Sequence, residues 1–123
     1  MKKTIMLKKN YEFKRVLNHG KIFYGNTLNC FIQKNNMEIN KLGIAVSKKT
    51  SKSVKRNRIK RLIKENYRLL EKNIDTGYNL IFVWKRNNQL EDADFKKIEA
   101  DFKEILKKSK LIKEVDKIWR KFV

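Results

Sequence analysis

One stretch in the second half of the chain constrains the fold more than any other. Residues 78–84, Tyr-Asn-Leu-Ile-Phe-Val-Trp, are apolar almost throughout. A strand that is apolar on both faces is typical of the interior of a sheet, where other elements cover it. We therefore predict a central β-strand here, around which the rest of the chain is arranged.

Two further segments show the two-residue period of half-buried strands. The side chains predicted to point inward are Leu28, Cys30, Ile32, Leu42, Ile44 and Val46, and they alternate with Asn29, Phe31, Gln33, Gly43, Ala45 and Ser47. Residues 21–33 as a whole predict extended structure, in which Gly25-Asn26 can turn the chain. Residues 34–40 predict a polar loop.

Three segments show helical periodicity. Residues 10–19 predict a short helix with Asn10 as N-cap, residues 53–71 a long one, and residues 94–108 a third that Asp92 or Asp94 can cap. A further short amphipathic helix is predicted from Val115, Ile118, Trp119 and Phe122. The fold class is therefore α+β: a small two-layer sandwich of order α-β-β-β-α-β-α(-α), with one central sheet of about four strands and the long helix in a β-α-β crossover.

Composition excludes several classes of protein. The 123 residues, 41% of them apolar, suit one domain over residues 1–123 with a modest core. No apolar run approaches the ~18 residues of a membrane span, and Thr4–Leu7 is too short for a secretory signal. One Cys and one His exclude a disulfide framework and a Cys/His zinc site, so we expect a reducing, cytoplasmic location and no cofactor held by the protein.

Charge indicates the kind of partner. The chain has 32 Lys+Arg against 13 Asp+Glu, a formal net charge of +19. Such a charge repels itself unless a polyanion is near, which can be nucleic acid, an anionic membrane surface or an acidic protein. Strong basicity in one small domain favours nucleic acid.

The predicted helix 53–71 carries the most informative pattern. Arg56, Lys60, Lys64 and Arg68 follow one another at i, i+4 spacing, with Asn57 and Arg61 in the next row. Residues 48–64 contain no acidic residue, whereas solvated helix faces normally mix both signs. Arginine can form two parallel hydrogen bonds to a phosphate, and asparagine can hydrogen-bond to a base edge or a ribose hydroxyl. This combination favours structured RNA over a membrane as the partner.

No set of catalytic side chains is evident in the sequence. His19 falls at a helix end, where an imidazolium suits the helix dipole, and Cys30 reads as a small core residue. Glu91, Asp92 and Asp94 can be drawn as a Mg²⁺ site, but their position favours helix capping. We therefore assign neither catalytic nor metal-binding residues.

Three segments together resemble the bacterial ribonuclease P protein subunit. They are the motif Arg56-Asn57-Arg58 with the following Ile59-Lys60-Arg61-Leu62-Ile63, its lead-in Ala45-Val46-Ser47-Lys48-Lys49, and the opening Leu7-Lys8-Lys9-Asn10…Phe13…Val16…His19-Gly20. The resemblance covers about residues 7–110, which leaves residues 111–123 as a short helical extension. The chain length and the order of elements also agree with that family.

The resemblance implies a function and a set of contacts. In the family, the protein binds a catalytic RNA in a ribonucleoprotein with one or two protein copies. It promotes endonucleolytic removal of the 5′ leader from precursor tRNA, while the RNA carries the hydrolysis with Mg²⁺. The implied RNA contacts are Arg56, Asn57, Arg58, Lys60, Arg61, Lys64 and Arg68. The implied leader cleft comprises Phe13, Leu17, Phe31, Lys48, Lys49 and Lys60.

Some details depart from the family or stay open. Leu17 stands where an aromatic residue is common, and Ser51 where a glycine is common. Phe31 either stacks on a base or packs under the first helix. The alternative function is a ribosomal or ribosome-associated RNA-binding protein without an enzymatic role, and a DNA-compacting protein is a third class.

Overall fold

A computed structural model describes residues 3–48, 52–85 and 94–111. The elements are β1 (Thr4–Met6), α1 (Asn10–His19), β2 (Lys21–Tyr24), β3 (Leu28–Lys34), β4 (Asn40–Ala45), α2 (Ser53–Leu70), a 3₁₀ turn (Glu71–Asn73), β5 (Tyr78–Trp84) and α3 (Phe95–Ser109). The three helices predicted within residues 10–108 and the central strand agree with these bounds to within a residue or two.

The strands form one mixed sheet in the order β1-β4-β5-β3-β2. As predicted, β5 lies in the middle, parallel to β4 and antiparallel to β3. The chain turns between β2 and β3 to form an antiparallel hairpin. Helix α2 connects β4 to its parallel neighbour β5, which is the predicted β-α-β crossover and confirms the α+β class.

The sequence missed one strand. β1 pairs in parallel with the edge of β4, with Thr4 opposite Asn40 and Met6 opposite Leu42, so the sheet has five strands rather than about four. Three residues are too few to display a two-residue period, which is why the pattern did not reveal β1. The strand matters because the Thr4 hydroxyl lies 2.7 Å from the hydroxyl of Tyr67 on α2.

The two faces of the sheet are covered differently. Helices α2 and α3 seal one face in a large apolar core, in which Phe82 stacks on Phe102 at 4.3 Å between ring centroids. Among the described residues, α1 is the one helix on the other face, over a small cluster built on Leu7, Val16 and Ile81. The predicted two-layer sandwich thus describes the α2 and α3 side, and α1 adds a partial third layer.

Two helix starts differ in how they are capped. Asp94 caps α3 as predicted, because its Oδ1 accepts a hydrogen bond of 2.9 Å from the Lys96 amide. The prediction of Asn10 as a cap is wrong: Lys9 takes the N-cap position with no side-chain hydrogen bond, and Asn10 is the first helical residue. The acidic residues 91 and 92 and the predicted C-terminal helix lie outside the described residues.

A buried carboxylate on α3 fixes the β2–β3 hairpin. Asp101 is only 2% exposed. Its Oδ1 accepts from the Asn26 amide at 3.0 Å, and its Oδ2 accepts from the amide of Thr27 at 2.5 Å, that of Leu28 at 3.3 Å and the Thr27 hydroxyl. These bonds satisfy donors that the turn would otherwise bury without an acceptor.

Candidate nucleic-acid interface

Helix α2 has a buried face that fixes the direction of its charged flank. Ile59, Ile63, Asn66 and Tyr67 are buried against the sheet and α3. At 1.5 Å per residue, the 18 residues of α2 extend about 27 Å. These buried residues fix one face of α2 along its length. The residues on its opposite face therefore project into solvent along the same length.

Two polar anchors set the rotation of α2 about its axis. The Tyr67 hydroxyl meets Thr4 at 2.7 Å and accepts a hydrogen bond of 3.4 Å from the Asn40 amide. Burial raises the pKa of Tyr67, so the phenol stays protonated. The Asn66 side chain donates to the Leu62 carbonyl within α2 at 3.0 Å and to the Phe95 carbonyl of α3 at 3.4 Å.

The middle of the flank is exposed and positively charged. Asn57, Lys60, Arg61 and Lys64 are all exposed. In the described parts of the chain, no carboxylate lies within ion-pair distance of Lys60, Arg61 or Lys64. Arg58 is exposed as well; it lies three residues before Arg61 and therefore about 60° from it around the helix, on the side away from Arg56.

The two ends of the predicted row have protein partners. Arg56 is half-buried and donates from Nη1 to the Lys48 carbonyl at 3.3 Å, which ties the start of α2 to the segment after β4. Arg68 pairs with Glu65 through Nη2–Oε1 at 2.5 Å and Nε–Oε2 at 3.2 Å. This hydrogen-bonded pair lowers the pKa of Glu65 and raises that of Arg68. Within this row, Lys60, Arg61 and Lys64 are therefore the exposed cations that have no partner among the described residues.

The predicted cleft lies on the other face of the sheet, beside α1. Phe31 on β3 is in register with Ile81, and Ile81 with Gly43. A Cβ at Gly43 would lie 2.8 Å from the ring of Phe13, so the glycine lets that ring lie directly on the sheet. Phe13 and Phe31 both pack at the margin of the small cluster and stay half-buried.

The remaining cleft residues do not all meet these two rings. Leu17 is 39% exposed on α1. Lys60 belongs to α2, which packs on the opposite face of the sheet. Lys48 is exposed three residues beyond the end of β4, and Lys49 lies outside the described residues. The structure thus brings Phe13 and Phe31 together in one cluster, whereas Lys60 lies on the element behind the sheet.

Comparisons with known proteins agree with this architecture. The family model described as Ribonuclease P matches residues 1–110. The chain belongs to the ribonuclease P protein family. Among curated relatives, the ribonuclease P protein component of Clostridium botulinum (strain Loch Maree / Type A3) is 47% identical over 104 residues, covering 84% of this chain and 92% of the relative. That of Caldanaerobacter subterraneus subsp. tengcongensis is 38% identical over 115 residues, covering 94% and 97%.

A solved structure of the RNase P protein from Staphylococcus aureus has the same fold. It matches with a TM-score of 0.76 at 28% identity, over 87% of this chain and 96% of that one. Membership of the ribonuclease P family assigns the chain to tRNA processing as a ribonuclease P protein subunit.

In the part of the chain that the structure describes, no helix is long and apolar enough to cross a membrane. No group of three or more His, Cys, Asp or Glu side chains is placed to hold a metal ion in the described part of the chain. The buried Cys30 has a pKa well above its usual value because burial disfavours the thiolate, which agrees with its predicted core role.

Sequence reasoning missed several polar residues near α1. Tyr11, Arg15, Gln33 and Asn79 line a common cavity with neighbouring side chains. Gln33 could have been found, because it shares the strand parity of Phe31 and therefore the same face of the sheet. The others come from elements whose relative position the sequence does not reveal.

Proposed function

We propose that this chain binds the catalytic RNA of ribonuclease P through α2 and the 5′ leader of precursor tRNA through the face of the sheet beside α1. By holding both, it promotes endonucleolytic removal of the leader. The observation that carries the proposal is the row of exposed cations Lys60, Arg61 and Lys64 on a rigidly anchored helix, none of which forms an ion pair with the described residues.

Electrostatics gives α2 its part in the proposal. Lysine and arginine side chains this close repel one another. Phosphates bound alongside them would offset that repulsion, because each cation would then lie next to an anion. Lys60 and Lys64 act as mobile point charges, whereas Arg61 can fork two phosphate oxygens. Asn57, exposed on the same side, can donate to or accept from a ribose hydroxyl or a base edge.

The half-buried aromatic rings give the α1 side its part. Phe13 and Phe31 each have one portion packed in the small cluster and another left accessible, so they are preorganised rather than mobile. Base stacking on an aromatic side chain contributes about 1–3 kcal/mol per base and tolerates any sequence. Such a surface suits a single-stranded leader, whose bases are free to stack.

Phosphodiester hydrolysis belongs, in this proposal, to the RNA subunit and its Mg²⁺. The part assigned to the protein is binding and orientation: α2 neutralises phosphates of the catalytic RNA, and the α1 face aligns the leader. The assembly would be a cytoplasmic ribonucleoprotein with one or two copies of this chain.

The test compares two double variants with the same change in charge. Lys60→Ala/Lys64→Ala removes two free cations from α2, whereas Lys103→Ala/Lys108→Ala removes two exposed lysines that are paired with Glu99 and Glu104 on α3. If each lysine of α2 contacts one phosphate, the α2 variant should bind the catalytic RNA more weakly, with a salt dependence shallower by about two phosphate contacts. Cleavage of precursor tRNA at low Mg²⁺ should fall in parallel, and circular dichroism should show an intact fold.

Equal binding by the two double variants would contradict the proposal. Binding of ribosomal RNA as tight as binding of the ribonuclease P RNA, without stimulation of cleavage, would favour the ribosomal alternative instead.

A further inference from the structure

A second recessed site lies beside α1, on the flank away from Phe13 and Leu17. It is a cavity of about 380 Å³, within the size range of small-ligand pockets. We call it the amide pocket, and its lining includes Tyr11, Arg15, Gln33, Lys34, Asn35 and Asn79. On a helix, Tyr11 and Arg15 share one side because they are four residues apart, about 200° from the side shared by Phe13 and Leu17. The amide pocket is therefore distinct from the proposed leader cleft.

The floor of the pocket presents side-chain amides in one row of the sheet. Gln33 on β3 is in register with Asn79 on β5. Asn35 donates to the Asn79 Oδ1 at 3.0 Å and to the Ile39 carbonyl at 3.1 Å, and its own Oδ1 accepts from the Met37 amide at 2.8 Å. These bonds hold the Asn79 amide in one orientation and leave its Nδ2 as a donor.

Gln33 is the group best placed to read a ligand. Its amide is half-buried and forms no hydrogen bond with the other residues that the structure describes. An unpaired amide offers a donor and an acceptor side by side, the arrangement with which glutamine recognises adenine. Asn79 next to it adds a second donor.

The rim adds an aromatic ring and positive charge. Tyr11 is 55% exposed, with Lys9 Nζ 5.7 Å and Arg15 Cζ 6.0 Å from the ring centroid. The carboxylate of Glu12 also lines the pocket, but Lys41 neutralises it at 3.5 Å. A planar base in the pocket can therefore contact the side-chain amides and the Tyr11 ring. The phosphate attached to it can at the same time contact Arg15.

We propose that the amide pocket binds one nucleotide of single-stranded RNA, with a preference for adenine. Gln33 and Asn79 read the base, Tyr11 stacks on it, and Arg15 and Lys34 hold the adjoining phosphate. This inference rests on the proposed function, since it assumes that the chain works on RNA. The nucleotide can come from the precursor tRNA leader or from a single-stranded segment of the catalytic RNA.

The first experiment measures the binding of hexamers of adenylate, uridylate and cytidylate to the intact chain. Stacking strength alone favours adenine over pyrimidines, so the part of an adenylate preference that depends on Gln33 marks the amide pocket. We expect the adenylate hexamer to bind roughly tenfold more tightly, which is the order expected for one bidentate base contact. Gln33→Leu keeps a similar size and should remove most of the preference. Arg15→Ala should weaken binding of all three hexamers.

The matched control is Lys14→Ala, which removes the same charge from the neighbouring exposed position of α1, outside the pocket lining. An adenylate preference that Gln33→Leu leaves undiminished, or an Arg15→Ala variant that behaves as Lys14→Ala, would overturn the inference. If Lys60→Ala/Lys64→Ala still loses the catalytic RNA in that case, the proposed function stands and only the pocket assignment fails.

A second experiment distinguishes the two sources of the nucleotide. A loss of affinity in Arg15→Ala for precursor tRNA, but not for mature tRNA, assigns the pocket to the leader. A loss for the catalytic RNA alone assigns it to the ribozyme. Unchanged binding of all three RNAs would show that the pocket has no role in the assembled enzyme and would overturn the inference.

Discussion

The two faces of the sheet differ in how completely they are covered. Alternate residues of β5 enter different environments: Leu80, Phe82 and Trp84 are buried under α2 and α3, whereas Ile81 and Val83 face α1. The covering helices on the first face have 18 and 15 residues, but α1 has only 10. One face is therefore sealed by apolar side chains, and the other retains half-buried aromatic rings and a recessed row of amides.

The difference separates stability from binding. Continuous apolar burial on the α2 and α3 side supplies most of the hydrophobic stabilisation, because that term grows with the apolar area removed from water. The α1 side is supported from behind by this core, so it can leave aromatic and amide groups accessible without losing its geometry. The same helix α2 that seals the first face also exposes Lys60 and Lys64 on its outer flank.

The largest expected effect is a loss of stability. It is tested by removing one phenylalanine side chain from each face of the sheet. Phe82→Ala empties a fully buried site between Tyr67 and Phe102, and it should lower the free energy of unfolding by about 3–5 kcal/mol. Phe31→Ala removes a half-buried ring and should cost clearly less stability. Urea unfolding followed by circular dichroism measures both.

RNA binding should respond in the opposite order. Under conditions in which both variants are folded, Phe31→Ala should reduce the advantage of precursor over mature tRNA, and Phe82→Ala should preserve it. If Phe31→Ala destabilises as much as Phe82→Ala and leaves that advantage unchanged, the two faces do not differ in role and Phe31 only packs under α1.

The sequence predicted the sealed face better than the open one. The run 78–84 and the stripe through Ile59, Ile63 and Tyr67 are dictated by burial, which leaves a strong periodic signal. β1 was missed because three residues carry no such signal and its pairing with β4 depends on distant contacts. Lys9 displaces Asn10 as the N-cap for a similar reason, since the entry of α1 follows from the chain path out of β1.

The candidate site was predictable from the sequence only where its residues recur at regular spacing along one helix. The row of Lys60 and Lys64 follows from helical spacing, but the pairing of Arg68 with Glu65 depends on side-chain geometry that the spacing leaves open. The amide pocket joins Arg15, Gln33 and Asn79 from three elements. Periodicity within a segment cannot reveal such a meeting, because the packing of α1 on the sheet creates it.

An intermediate loss of stability is expected at Asp101, which connects α3 on the sealed face to the β2–β3 hairpin at the edge of the sheet. Asp101→Asn replaces an acceptor oxygen by an NH₂ group that cannot accept from the hairpin amides. Leaving buried donors unsatisfied costs about 1–3 kcal/mol, and urea unfolding should show a loss of this order. Glu104→Gln, on the exposed side of α3, is the control and should change stability by less than about 0.5 kcal/mol. Equal effects of the two substitutions would mean that Asp101 does not hold the β2–β3 hairpin.

The smallest effect is expected at the end of the α2 flank, where one acidic residue limits the positive charge. Glu65→Gln frees Arg68 from its pair, so affinity for the catalytic RNA should rise by about two- to fivefold at low salt, the range of an exposed ion pair. The pKa of Glu65 is lowered in the folded protein by its pairing with Arg68. The pair is therefore fully formed at pH values above the ordinary pKa of glutamate, and it is lost as the pH falls through the lowered value. The gain in affinity on acidification should therefore be larger for the wild-type protein than for the variant. Glu104→Gln frees Lys108 on α3 with the same change in charge, and an equal gain there would show that RNA responds to net charge rather than to the flank of α2.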